Sequence, residues 1–480
     1  MWPTSLSPGA AGIAHDPDGS GRPSRLALAV PATAQFLVVL STSIVNVALP
    51  SLQRDLHLDP VGMSWAVNGY VLAFGALLLL GGRATDLLGH RRMFVGGLAL
   101  FAVASAAAAL AASAEVLIAA RIVQGLAAAV LAPAALALVM TLYPSGPRRA
   151  FALGVWGAVS GAGGAAGVLL GGLLTDAYGW PAVFWLSVPV SLAAIGGAYA
   201  VLPGDRPASG PRHIDLPGAA TVTAGLFAVA YALAGGSRNG WTSPATLLML
   251  SAGVLLLLLF VRIQRRSAAP LLPPRILSVG TVGPANVMMA ALGAIWIGLF
   301  YFLPLYQSQV LGYGPLKTGL TQLPLALTLT LASALAPRLT ARLGRRNTLT
   351  AGLAAVSVGL VWLGRAPADG TFAADLLGPS LLVGAGLGLA FVRLTTLATD
   401  GVAATEAGVA GGLVNTTRQI GGALGLAALT AVAGAASPAP HSTAAAVTAA
   451  QHAQGYGAAF LAAAAVAALT SLYAALRSPR

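Results

Sequence analysis

Cysteine is absent from the 480 residues, and Asp and Glu together number only 13. Without thiols the chain can form neither a disulfide nor a thiolate metal site. Lysine occurs once, as Lys317, and it follows Leu316 instead of a glycine. The phosphate-cradling G-x-x-x-x-G-K-[ST] loop of an ATP-driven pump is therefore missing. The histidines (His15, His57, His90, His213, His441 and His452) all fall outside the long apolar runs, so a hydrolase or metalloprotease within the membrane would lack its base or ligands. No enzymatic activity, cofactor or metal is expected.

Charge of either sign is scarce. Charged residues make up 8% of the chain against 57% hydrophobic ones, and the mean hydropathy is +0.81. A soluble core cannot take up so much apolar surface, which leaves lipid as the solvent. The net charge of +13 does not point to nucleic acid, because the arginines stand in short clusters between apolar runs and form no stripe. A membrane crossing takes about 20 residues at 1.5 Å rise each. Stretches of that kind, uncharged or carrying one Arg, occur fourteen times: 26–50, 61–82, 93–114, 116–142, 150–174, 181–202, 216–236, 242–261, 281–306, 318–336, 347–364, 376–399, 407–434 and 456–476. The expected fold is an all-α integral membrane protein.

An even number of crossings puts both termini on one side, and basic loops mark the cytoplasmic side. With a cytoplasmic N-terminus, nineteen basic residues fall in inner segments and only four (Arg54, Arg238, Lys317 and Arg365) in outer loops. This bias predicts cytoplasmic termini and an external segment 437–455. Residues 1–25 contain Pro, Gly and Ser without an apolar centre and read as a disordered cytoplasmic tail.

The chain also repeats itself. Arg83, Thr85, Leu88, Gly89 and Arg91 recur 255 residues later as Arg338, Thr340, Leu343, Gly344 and Arg346, after spans two and ten. Two six-helix halves separated by an inserted pair reproduce that spacing. The division is then 26–202 for the first bundle, 203–275 for the inserted pair with its linkers, and 276–480 for the second bundle.

Four segments in order carry a family resemblance. They are the loop Gly82-Arg-Ala-Thr-Asp86-Leu-Leu-Gly89-His-Arg91-Arg92, the start of span four at Arg121-Ile-Val-Gln124-Gly125, the end of span one at Ile44-Val-Asn46-Val-Ala-Leu-Pro50, and Asn415-Thr-Thr-Arg418-Gln419-Ile-Gly421-Gly422 in span thirteen. From about residue 26 onward the chain resembles the major facilitator superfamily, and within it the fourteen-span drug:proton antiporter branch. The resemblance implies a 6+2+6 helix fold and export of a small, lipophilic, drug-like compound by alternating access. It implies a multi-pass protein of the plasma membrane. Heavy use of Arg and Ala suggests a GC-rich bacterial genome, and a monomer is expected, with a small molecule, lipid and protons as the partners to consider. The branch usually carries Asp in span one where this chain has Ser41, Gly-Pro in span five where it has Gly167-Val168, and Arg after Asp86 where it has Leu87. These departures predict weak or absent proton exchange. A second reading is a sensor that keeps the transporter fold without transport.

An arginine in mid-membrane costs roughly 2.5–3.5 kcal/mol on insertion scales and so needs a role. Arg418, about eleven residues into its span, is a candidate substrate contact, or else a packing residue tied to Asn415 and Gln419. Arg121, with Gln124 one turn on, is a candidate for substrate or proton handling, or a residue snorkelling to the outer surface. Arg393 is near enough to the inner end of its span to snorkel. Glu115, at the outer end of span four, is the peripheral acid nearest Arg121. Polar residues in apolar runs, among them Ser41, Asn46, Asn286, Tyr301, Tyr306, Gln307, Gln322 and Asn415, outline a cavity or are helix-to-helix hydrogen bonds. In the loop, Asp86 is expected to pair with Arg91 or Arg92 and, with Gly82 and Gly89, to latch one conformation. Gly163, Gly167, Gly171 and Gly172 form a small-residue stripe on span five where a neighbouring helix can slide.

Overall fold

A computed structural model describes residues 25–143, 146–202, 204–205, 215–267, 270–272, 274–402, 407–436 and 449–477. The N-terminal tail before Arg25 and most of the expected external segment 437–455 lie outside the described residues. Among those described there are fourteen long helices. The first half holds α1 (Arg25–Leu56), α2 (Pro60–Leu88), α3 (His90–Ala109), α4 (Ala114–Leu142), α5 (Gly146–Tyr178) and α6 (Pro181–Val201). The inserted pair is α7 (Leu216–Asn239) and α8 (Pro244–Arg266). The second half holds α9 (Val282–Val310), α10 (Pro315–Leu343), α11 (Arg345–Leu363), α12 (Phe372–Leu397), α13 (Ala407–Ala436) and α14 (Ala449–Arg477).

Thirteen of these are long and apolar enough to cross a membrane on composition alone. The fourteenth, α11, opens on Arg345 and Arg346 and has 19 residues. At 1.5 Å per residue it still reaches roughly 28 Å, and Leu349, Leu353, Val356 and Leu360 are buried against its neighbours. Helix starts follow local chemistry. Asp59, Asp215 and Ser243 each accept a hydrogen bond from a backbone N–H three residues on, with proline at the first or second helical position. His452, expected in a loop, lies in the opening turn of α14 and stacks on Tyr456 at 5.7 Å.

The two halves pack alike. In the first, α1 lies on α4, α5 and α6, α2 on α4, and α3 on α4 and α6; in the second, α9 lies on α12, α13 and α14, α10 on α12, and α11 on α12 and α14. Every pair recurs eight helices later. The repeated loop matches in backbone as well: Gly89 and Gly344, with φ of 103° and 86°, each separate one helix from the next. Between the halves α2 packs on α13, α5 on α10 and α1 on α9. The inserted α7 touches both α2 and α13, with Trp65 stacked on Phe227 at 5.8 Å, so it covers one of the seams. The arginine-rich loops at Gly89 and Gly344 make one end of the bundle the basic face, and the other end is the opposite face.

Candidate functional site

The loop after α2 places its acids differently from the expectation. The expected pairing of Asp86 with Arg91 or Arg92 is not seen: its exposed carboxylate lies 3.8 Å from His90 Nε2, four residues on. The acid that these two arginines meet is Asp205, just beyond α6. Its carboxylate accepts from the backbone N–H of Arg91 at 2.8 Å and of Arg92 at 2.9 Å. A carboxylate there satisfies the free amides of α3 and opposes the helix dipole. Gly89 allows this. A Cβ on Gly89 would stand 2.4 Å from the Asp205 carboxyl carbon, and its positive φ disfavours any side chain. Gly82 has ordinary room, 3.8 Å to Pro133, whereas its neighbour Gly81 would drive a Cβ to 2.1 Å from the Ala129 carbonyl oxygen. The close crossing of α2 and α4 therefore depends on Gly81, which lies outside the motif, together with Gly125, whose Cβ would stand 2.3 Å from the Tyr70 carbonyl oxygen.

Arg121 is completely buried and does not snorkel. Its Nε donates to the Ala66 carbonyl at 2.9 Å, and Nη1 to Ser41 Oγ at 3.0 Å and Gln124 Oε1 at 2.6 Å. The Tyr70 ring covers the guanidinium at 4.4 Å, and Gln124 passes the network on to Ser105 at 2.7 Å. The arginine thus ties α1, α2, α3 and α4 together inside the first half. Ser41 takes a neutral hydroxyl to the place where the guanidinium points. Glu115 does not join it, standing exposed in the first turn of α4.

Arg418 differs. It is half-buried, and its hydrogen bond goes to Asn415 Oδ1 at 2.9 Å, while Trp296 of α9 and Phe391 of α12 each lie 5.9 Å from the guanidinium carbon. Arg393 is only 5% exposed, and its Nε and Nη2 have no acceptor among the described residues, so the expected snorkelling is not seen. Of the polar candidates, Asn46 bonds back to the Thr42 carbonyl at 3.3 Å, Tyr306 donates to the Pro367 carbonyl at 2.6 Å, and Gln322 reaches Gln307 at 3.4 Å. All three are buried: Asn46 bonds within α1, Tyr306 bonds to the loop between α11 and α12, and Gln322 alone joins two helices, α10 and α9.

The glycine stripe divides between two neighbours. Gly163, Gly167 and Gly171 press on α1, where added Cβ atoms would come within 3.2 Å, 2.1 Å and 2.7 Å of Phe36, Ser43 and Ile44 respectively. Those contacts lie within one half. Gly172 alone faces the other half: its Cβ would meet the Pro315 carbonyl oxygen at 2.6 Å and Gly319 Cα at 3.2 Å.

The chain's relatives can be set against this geometry. The model of the Major Facilitator Superfamily matches residues 32–426. A cephamycin export protein of Amycolatopsis lactamdurans is 42% identical over 411 residues, covering 85% of each chain. A puromycin resistance protein of Streptomyces alboniger is 40% identical over 453 residues, covering 93% of this chain and 90% of the relative. A solved bacterial homologue of the human drug peptide transporters superposes with a TM-score of 0.62 at 15% identity, covering 94% of this chain and 97% of that one. A nucleoside transporter superposes with 0.63 at 12%, covering 95% and 100%. The duplicated six-helix packing, the inserted pair and these matches agree: the chain belongs to the Major Facilitator Superfamily and is a multi-pass membrane transporter, not an enzyme.

Proposed function

We propose that the protein exports a small, lipophilic, antibiotic-like compound across a bacterial plasma membrane, with both termini and the basic face in the cytoplasm. Two halves that rock about a central path need one end closed while the other is open. The observation that carries the reading is a tie across the opposite face. Gln309 Nε2 donates to Gln53 Oε1, and the Tyr456 hydroxyl donates to Gln309 Oε1, so α1 is joined to α9 and α14 by side chains alone. Neutral hydrogen bonds contribute about 0.5–1.5 kcal/mol each, little enough to part in every cycle.

Gln309 belongs to a π-helical turn, Tyr306–Val310, that follows Pro304. Such turns mark places where a helix is under-bonded and able to adjust. A cavity of about 370 Å³ opens beside it, bordered by Gln53, Arg54, Tyr313 and Thr318. On the basic face, Asp205 in the linker after α6 contacts Arg91 and Arg92, and Asp400 contacts Arg345 at 3.4 Å; neither contact joins the two halves. They shape that face without closing it. The orientation follows from the arginine bias of the loops. The antibiotic-like cargo follows from the cephamycin export and puromycin resistance relatives.

The driving force is an ion gradient or the cargo's own gradient, since no nucleotide loop exists. Ser41 cannot cycle a proton as a carboxylate can, and proton exchange is accordingly weak or absent. Purified protein in proteoliposomes should move puromycin or a cephamycin down an imposed gradient faster than empty vesicles do. Binding of either compound with no flux in either direction would overturn the reading and leave a receptor that keeps the transporter fold.

A further inference from the structure

The two mid-membrane arginines have different partners. Arg121 is fully buried, with Nε and Nη1 on protein acceptors and Nη2 without a partner among the described residues, whereas Arg418 is half-buried and makes one side-chain hydrogen bond, to Asn415. Guanidinium carries five N–H donors and no acceptor. Among the described residues no carboxylate pairs with Arg418. An unpaired cation at that depth is expected to have a functional partner.

The direction in which Arg418 projects follows from the packing of its helix. On α13, Gly421 and Gly425 press on Ala290 and Ala294 of α9, while Gly412 and Gln419 press on Leu79 and Gly75 of α2. Arg418 itself lies on the α9 side, because a Cβ on Gly293 of α9 would stand 3.1 Å from its Cα and Gly422 presses on Ile297. Its guanidinium lies beside Trp296 of α9 and Phe391 of α12, and α9 also packs on α1 of the other half. Trp296 and Phe391, both half-buried, have ring centroids 5.9 Å apart, and each lies 5.9 Å from the guanidinium carbon, so the two rings form one wall beside it. A cation with free donors beside two adjoining, partly exposed rings is complementary to one kind of ligand. A carboxylate or phenolate accepts paired hydrogen bonds from the guanidinium fork, and an attached ring stacks on the indole.

We infer that Arg418, Asn415, Trp296 and Phe391 form the central binding site, and that it takes an aromatic organic anion. This deepens the export reading and rests on it only for the direction of movement. The same site disfavours permanent cations, which meet an uncompensated positive charge.

The probes are 2-naphthoate and its neutral counterpart 2-naphthamide, titrated into the detergent-purified full-length protein and followed by tryptophan emission. The wild type should bind the acid at least tenfold more tightly than the amide. Arg418→Gln should weaken binding of the acid by roughly 10- to 100-fold, the range of a charged hydrogen bond, and leave the amide unchanged; Arg418→Lys should restore part of the loss. Trp296→Leu should weaken both probes by a similar factor, which reports on the site even where an arginine variant folds poorly. Equal affinities for the two probes in the wild type, or an acid affinity unmoved by Arg418→Gln, would overturn the assignment. So would a Gln variant that loses both probes alike, since that result belongs to a packing arginine. Flux tells the two proposals apart. Acid binding without flux removes the export reading and keeps the site, whereas flux of neutral compounds with no preference for the acid keeps export and removes the site.

Discussion

Gly172→Ala should prop open the opposite face. The added methyl would lie 2.6 Å from the Pro315 carbonyl oxygen. An ordinary carbon–oxygen contact is about 3.3 Å, so α5 and α10 must part by roughly 0.7 Å. The obstacle is backbone on both sides, Pro315 and Gly319, and cannot be relieved by a side-chain rotation. Overpacking of this kind costs about 1–3 kcal/mol. The cost falls on the closed arrangement alone, because a state in which the helices have separated has room for the methyl. The open-to-closed ratio at that face should therefore rise roughly 5- to 150-fold. The assay uses the natural absence of cysteine. Thr318 lies at the mouth, is 1% exposed and has an unpartnered hydroxyl, so Thr318→Cys is a unique reporter that breaks no side-chain hydrogen bond. Its labelling by a membrane-impermeant maleimide should accelerate by that factor in the Gly172→Ala background. Gly163→Ala, which crowds Phe36 within the first half, should leave labelling unchanged. A folded Gly172→Ala protein that labels at the parental rate would refute the reasoning.

Three further outcomes are expected. Asp205→Ala should lower thermal stability by the equivalent of about 0.5–2 kcal/mol, the loss of a helix cap, while Asp86→Asn on an exposed pair should change it far less; the reverse order in melting experiments would show that Asp86 is the structural acid. Gly89→Ala, which forces a methyl into the Asp205 carboxylate at positive φ, should destabilise more than Gly82→Ala, and equal melting temperatures would contradict the cap geometry. Ser41→Asp places a carboxylate beside the Arg121 guanidinium and should increase substrate-dependent proton movement in vesicles; a native protein that already exchanges protons stoichiometrically, and still does so as Glu115→Gln, would show that another group carries the proton.

The helix plan was legible because lipid imposes it: apolar length, arginine clusters and the Gly89/Gly344 repeat are local features that survive without tertiary knowledge. The repeat even specified backbone, since both glycines adopt positive φ. What could not be read was which residues meet across the bundle. Asp205 lies 114 positions from Arg91, in a linker with no motif, and only the packing of α6 on α3 brings it to the loop. Arg121 and Arg418 look equivalent as single charges in apolar runs, yet the first is fully buried with acceptors for Nε and Nη1, while the second is half-buried with one. The glycines of α5 form one stripe in sequence but two contacts in space, because Gly171 and Gly172 point about 100° apart. Sequence spacing gave no sign that Gly172 alone faces the other half.

Alternating access is the central claim, and the tie at the opposite face allows it to be tested directly. Gln53→Cys together with Gln309→Cys, in a chain with no other cysteine, places one thiol on each half where the glutamines now hydrogen-bond. Cargo flux through proteoliposomes is measured before and after treatment with a short bifunctional thiol cross-linker. Cross-linking should stop flux in the double variant and not in either single one, because a mouth that cannot open cannot release cargo. Undiminished flux through protein shown to be fully cross-linked between residues 53 and 309 would contradict it.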